Sequence, residues 1–119
     1  MHNFKNLTVW QKSIQLAIKI YKFLNTLPTK EQFIFSSQLS RCAISIPSNI
    51  AEGSGKNSTK DFIRYLSIST GSSFELETQL IILIEIQQNQ KEEIELFLKE
   101  VKEIQKMIHG FKKSLAKNS

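Results

Sequence analysis

The chain has one cysteine, two prolines, four glycines and two histidines in 119 residues, and each scarcity excludes something. A lone Cys42 can form neither an internal disulfide nor a thiolate metal cluster, and it suits a reducing compartment. His2 and His109 stand at no helical step from another candidate ligand. The Glu-x-x-His pairs of di-iron bundles are missing, so no metal site is expected. Gly53-Ser54-Gly55-Lys56 lacks the spacing of a phosphate loop and follows no strand, and no cofactor is expected. The most apolar stretch, Leu80 to Ile86, is interrupted by Glu85 and is too short to cross a bilayer. No basic start leads into an apolar run, so no secretion signal is expected and cytoplasm is the default. Glu75 and Glu77 diverge by about 160° on a helix and make no natural acid/base pair. The expectation is a protein that is not an enzyme.

What is present is ordinary in amount but uneven in placement. Hydrophobic content of 40% and charged content of 23% suit a folded protein, and 119 residues suit a single domain with one core. The net charge of +5 is polarised along the sequence. Residues 1–60 hold eight Lys/Arg against Glu31 and Glu52, residues 61–103 hold four against nine acids, and the tail from Ile104 has four Lys and no acid. Such basic segments attract nucleic acid or an anionic surface, or they are solvated faces that meet an acidic neighbour.

Periodicity reads as four helices, at approximately 9–25, 30–52, 59–88 and 90–116. Thr8-Val-Trp-Gln11 and Thr29-Lys-Glu-Gln32 have the form of capping boxes, Ser58 with Asp61 starts the third helix, and Asn89 with Glu92 the fourth. Apolar residues then recur at three- and four-residue steps. The expected seams are Trp10, Ile14, Ala17, Tyr21 and Leu24 in the first helix, and Phe35, Leu39, Cys42, Ile46 and Ile50 in the second. The third is Phe62, Leu66, Ser69, Ser73, Leu76, Leu80 and Leu83; the fourth runs Ile94, Phe97, Val101, Ile104, Ile108, Phe111 and Leu115. Short links between helices imply antiparallel neighbours. The fold class is all-α, an antiparallel up-and-down four-helix bundle.

Two helices are more apolar than a lone bundle needs. The first has Trp10, Ile14, Leu16, Ala17, Ile18, Ile20, Tyr21, Phe23 and Leu24 over well over half its circumference, with Gln11, Lys12, Gln15, Lys19 and Lys22 on the polar remainder. A core-facing helix needs an apolar arc of only about 100°. The third is nearly apolar all round at Leu80-Ile-Ile-Leu-Ile84. Either these helices are fully buried in a monomer, or a second surface is covered by self-association.

The second helix carries a polar stripe, Arg41, Ser45, Asn49 and Glu52, beside an interior Pro47 that removes the bond to the Ala43 carbonyl. The third has a small-residue patch from Ser67 to Ser73 that includes Gly71, followed by Glu75 and Glu77, one of which is placed to meet Arg41. The run Gln38-Leu-Ser-Arg41-Cys-Ala-Ile-Ser45-Ile-Pro47-Ser-Asn49-Ile-Ala-Glu52-Gly53 resembles the central signature of the four-helix bundle proteins encoded in intervening sequences of bacterial 23S ribosomal RNA genes. Phe4, Leu7, Val9 and Trp10 match that family's opening. Phe62, Leu66, Gly71, Ser72, Glu75, Leu76, Glu77, Thr78, Gln79 and Leu80 match its later block. Thr70 departs from it, where relatives tend to have a basic residue, as does Gly55, where a larger one is common.

The resemblance implies a bundle that assembles into a homopentamer, without known enzymatic activity. It marks Arg41, Ser45, Pro47, Asn49, Glu52, Gly53, Ser72, Glu75 and Glu77 as signature positions. Similar proteins act as accessory factors in diversity-generating retroelements, where a basic pentameric barrel binds nucleic acid. The expected function is therefore a non-enzymatic oligomer that binds RNA or other nucleic acid through basic surface. Lys12, Lys19 and Lys22 on one stripe, with Lys112 and Lys113 near the C-terminus, are the candidate contacts. The alternative is a protein–protein scaffold or accessory factor that contacts a protein partner and no nucleic acid. No membrane is expected among the partners.

Overall fold

A computed structural model describes residues 2–118 and shows four helices joined by short links: α1 (Thr8–Leu24), α2 (Thr29–Ser54), α3 (Thr59–Ile86) and α4 (Lys91–Lys117). They pack as an antiparallel up-and-down bundle. α1 lies on α2, α2 on α3, α3 on α4, and α4 closes back onto α1. The result is a rod of 47 × 20 × 19 Å. Among the described residues there is no strand, and no helix is long and apolar enough to cross a membrane.

Local chemistry sets the helix ends, and two differ from the capping boxes read in the sequence. Thr8 lies inside α1 and caps nothing; Leu7 precedes the helix. A 3-10 turn over Phe4–Asn6, closed by Asn3 Oδ1 accepting from the Lys5 amide, starts the chain winding early. Gln11 is thereby drawn back to donate to the Lys5 carbonyl at 2.8 Å. Thr29 likewise begins α2 instead of capping it, because Pro28 with φ −56° and ψ 151° is the extended residue before the first turn. Gln32 reaches back across the turn to the carbonyls of Asn25 and Leu27, at 3.2 and 2.7 Å, and ties α1 to α2. Ser58 does cap α3, accepting from the Asp61 amide at 3.1 Å. Asn89 falls in a 3-10 turn over Gln88–Gln90, and α4 starts after it without a side-chain cap.

The seams of α2 and α3 are buried throughout. That of α4 is buried from Ile94 to Ile108 and half-buried at Phe111 and Leu115. In α1 only Leu24 of the expected seam is buried, and the rest of the buried stripe is Val9, Ser13, Leu16, Ile20 and Phe23. Trp10, Ile14 and Ala17 are only half-buried and Tyr21 is 62% exposed. The reason is chemical as well as geometric. Ser13 looks polar in sequence, but its hydroxyl donates to the Trp10 carbonyl at 2.9 Å, so it enters the core satisfied. That frees Leu16, Ile20 and Phe23 to take the core, where the Phe23 and Phe97 rings meet edge-on at 5.3 Å.

α2 and α3 approach closely at Gly53. A Cβ there would meet Tyr65 Cβ at 2.7 Å and Phe62 Cδ1 at 2.9 Å. A Cβ on Gly71 would meet nothing within 4 Å. The two glycines should therefore respond oppositely to alanine. Gly53→Ala is expected to destabilise the chain by about 1–3 kcal/mol through overpacking. Gly71→Ala should stabilise it by about 1 kcal/mol by removing helix-interior glycine. Urea unfolding followed by circular dichroism measures both.

Candidate functional site

The apolar residues that α1 leaves outside the core line an open groove. Trp10, Ile14, Ala17, Ile18 and Tyr21 face Ile44, Pro47 and Ala51 of α2, and Phe4 closes one end beside Trp10 at a ring distance of 5.2 Å. The groove holds about 510 Å³ and its walls are almost wholly hydrocarbon. Ile18 is 49% exposed and Ile44 55%. Pro47 is buried at its floor, in a helix that runs past it uninterrupted.

Several of the signature positions, Arg41, Ser45, Asn49, Gly53, Ser72 and Glu75, lie on the next edge, between α2 and α3. Ser45 Oγ and Ser72 Oγ lie 2.8 Å apart, and Asn49 Nδ2 donates to the Ser45 carbonyl and hydroxyl at 2.9 and 3.0 Å. Ser69 donates to the Ile46 carbonyl at 2.9 Å. Small hydroxyl side chains thus replace bulk where these helices meet, and each finds a partner. Arg41 points to Glu75, at 3.8 Å between largely exposed groups, while Glu77 faces α4 and accepts from Gln105 at 2.9 Å. Glu52 pairs loosely with Lys56 at 4.0 Å. The small-residue patch therefore serves packing within the chain at Ser69, Ser72 and Ser73, and Gly71 looks outward.

The lysine stripe of α1 lies along α4. Lys12 is ion-paired with Glu103, and Lys19 with Glu100 at 2.7 Å. Lys12 holds the Glu103 carboxyl below the usual carboxylate range by its hydrogen bond and charge. Lys22 is exposed near the acidic end of the rod. Antiparallel folding turns the uneven sequence charge into an axial one. The end where α4 finishes gathers Lys5, Lys56, Lys60, Arg64, Lys112, Lys113 and Lys117 with Glu52 and Asp61. The opposite end gathers Glu31, Glu85, Glu92, Glu93 and Glu95 with Lys22, Lys30 and Lys91. At the basic end Lys56 and Arg64 both lie over the Tyr65 ring, 5.1 and 4.6 Å from its centroid.

Two exposed phenylalanines lie outside every seam and site read from the sequence. Phe33 is 90% exposed and Phe74 55%. Both fall outside the apolar seams of their helices, which is the signal that could have found them. Cys42 is buried against Gln79 Nε2 at 3.4 Å, and burial, with the nearby Glu75 charge, pushes its thiol pKa up. Among the described residues no group of three or more His, Cys, Asp or Glu is placed to hold a metal ion.

Fold and sequence signature together define an all-α four-helix bundle. The chain belongs to the 23S rRNA-intervening sequence protein family, whose description matches residues 5–110. It is also similar to the crystal structure of a protein of unknown function from the S23 ribosomal protein family of Bacteroides thetaiotaomicron. The two share 31% identity over 89% of this chain and 99% of that one, with a TM-score of 0.79. No curated protein matches. The matches point to no enzyme family.

Two outcomes follow from this geometry. Arg41→Ala should cost the fold less than about 1 kcal/mol, because the Arg41–Glu75 pair is solvated. Leu80→Ala, in the core, should cost about 2–5 kcal/mol; urea titrations compare the two. Cys42 should resist a thiol reagent at mildly alkaline pH until denaturant is added, because the thiolate is both scarce and covered.

Proposed function

We propose that the chain is a non-enzymatic, self-associating bundle in which the α1–α2 groove is covered by a second copy. The observation that carries this reading is the second apolar stripe of α1, left open in the isolated chain with Ile18, Tyr21 and Ile44 about half exposed or more. The homopentamer implied by the family resemblance fits the distribution of apolar surface. A five-membered ring closes head to tail, so each copy must present two different complementary faces. A second apolar area is present away from the groove, at Ile34 near the start of α2 and at Ile82 and Ile86 near the end of α3. In this reading Ser45, held by Asn49 and bonded across to Ser72, matters by fixing how α2 and α3 meet, which sets the angle between the two faces.

A second reading, association with RNA or other nucleic acid, is favoured by the axial charge. Lys112 and Lys113 stand at the basic end, where cations outnumber acids, and repetition around a ring would multiply that potential. Lys12 and Lys19 already have carboxylate partners in the chain and add less net potential.

Native mass spectrometry of the wild type should find an assembly, and Ile18→Glu with Ile44→Glu should reduce it to monomers of unchanged helicity, since each burial of an unpaired carboxylate is strongly unfavourable. A wild type that is monomeric at micromolar concentration, or a double variant of unchanged mass, would refute the assembly reading. For the second reading, fluorescence anisotropy with structured RNA should show affinity falling steeply between low and physiological salt. Lys112→Glu with Lys113→Glu should weaken it far more than Lys12→Gln with Lys19→Gln. Equal effects of the two pairs would remove the basic end as the contact.

A further inference from the structure

The edge opposite the apolar groove, between α3 and α4, holds a different kind of depression. It measures about 350 Å³ and is lined by Thr70 and Phe74 from α3 and by Gln105, Lys106, His109 and Lys112 from α4. That volume is at the lower end of the roughly 300–1,000 Å³ typical of small-ligand clefts. Its composition is specific. Phe74 turns a ring to solvent, 55% exposed, on a helix whose core positions are taken by Leu66, Ser73, Leu76 and Leu80. Lys106 and Lys112 bracket His109 on the facing helix, one turn or less on either side.

The groups already occupied narrow what the depression can accept. The Thr70 hydroxyl donates to the Leu66 carbonyl at 3.2 Å, so it is not a free donor. The acid on this edge, Glu77, accepts from Gln105 Nε2 at 2.9 Å and sits half-buried. No ion pair holds Lys106 or Lys112 among the described residues. The remaining chemistry is one aromatic face, two ammonium groups and one imidazole. An aliphatic ligand would leave the cations unused, and a simple anion would leave the ring unused. A flat aromatic ring carrying a phosphate uses both.

We propose that the α3–α4 depression binds a nucleotide unit, with the base stacked on Phe74 and the phosphate held by Lys106 and Lys112. The proposal does not rest on assembly through the α1–α2 groove, which lies on the other edge of the bundle. It also differs from phosphate contact at the basic end, because it requires an unpaired base. Base–aromatic stacking of the usual strength corresponds to roughly 5- to 100-fold in affinity per base.

Isothermal titration of the full chain at low ionic strength with adenosine monophosphate, adenosine and inorganic phosphate tests it. Adenosine monophosphate should bind about tenfold or more tightly than either half. Phe74→Ala should lower that affinity roughly 5- to 100-fold and leave phosphate binding unchanged. Lys112→Gln should weaken both. A single-stranded oligoadenylate distinguishes the source: Phe74-dependent binding of the strand alone assigns the site to a nucleotide within a chain, and binding of the monophosphate assigns it to the free molecule. The proposal is overturned if neither adenosine monophosphate nor the oligoadenylate binds better than phosphate, or if Phe74→Ala leaves the affinity of the one that binds unaltered. It is equally overturned if Phe74→Ala changes the assembled mass, which would make that ring a subunit contact. Lys113 stands at the basic end and outside the depression, so Lys113→Glu with structured RNA reads that end and Phe74→Ala with the nucleotide reads the depression, and the two ideas can fail separately.

Discussion

A helix in a four-helix bundle can turn an arc of only about 100° toward the core, and α1 is apolar over much more than that. Its stripe of Leu16, Ile20 and Phe23 goes inward, and the Trp10, Ile14, Ala17 and Tyr21 stripe is left over. The leftover stripe is met on only one side, by Ile44, Pro47 and Ala51 of α2, which makes a groove and not a core. Most of what distinguishes this molecule from an inert bundle follows from that surplus. Burial of the second stripe by another copy would recover the hydrophobic free energy that the isolated chain leaves unrealised.

The surplus could be exposed in many directions, and the α2–α3 seam limits them. Gly53 lets α2 approach Phe62 and Tyr65 where a side chain would not fit. Ser45, Ser69 and Ser72 keep the contact thin while satisfying their hydroxyls across it. The N-terminal segment adds a brace at the basic end, where the His2 amide donates to the Ser54 carbonyl and the His2 ring packs against Phe62 and Phe111. Membership of the 23S rRNA-intervening sequence protein family thus corresponds physically to a signature that sets helix spacing. Most of its polar residues find partners within the chain, and the apolar groove lies beside them.

Electrostatics divides along the same lines. Lys12 and Lys19 bind α1 to α4 through Glu103 and Glu100, so a stripe that looks available in sequence is partly used by the fold. Among the described residues, Lys5, Lys60, Lys112, Lys113 and Lys117 at the basic end and Lys106 in the α3–α4 depression are in no ion pair. Two edges of one bundle therefore carry opposite character, apolar on α1–α2 and cationic with an aromatic face on α3–α4.

The sequence by itself determined the four-helix class, the stripes that α2, α3 and α4 bury, and the excess of apolar surface on α1 and α3. These are set by periodicity, and a three/four repeat of apolar residues has one low-energy reading wherever a helix has a single apolar face. It also placed Arg41 within reach of Glu75 or Glu77, although the arginine is largely exposed and does not need a carboxylate to be stable there. Only the tertiary structure decided which face of α1 is the core, because two apolar stripes are equivalent until α2 and α4 occupy space around them. The same is true of Ser13, whose burial depends on a local hydrogen bond that a polarity scale does not register. It also decided that Glu75 and not Glu77 meets Arg41, and that Phe33 and Phe74 face solvent. Each of these turns on the rotation of one helix against its neighbours, and rotation is fixed by packing that no single helix encodes.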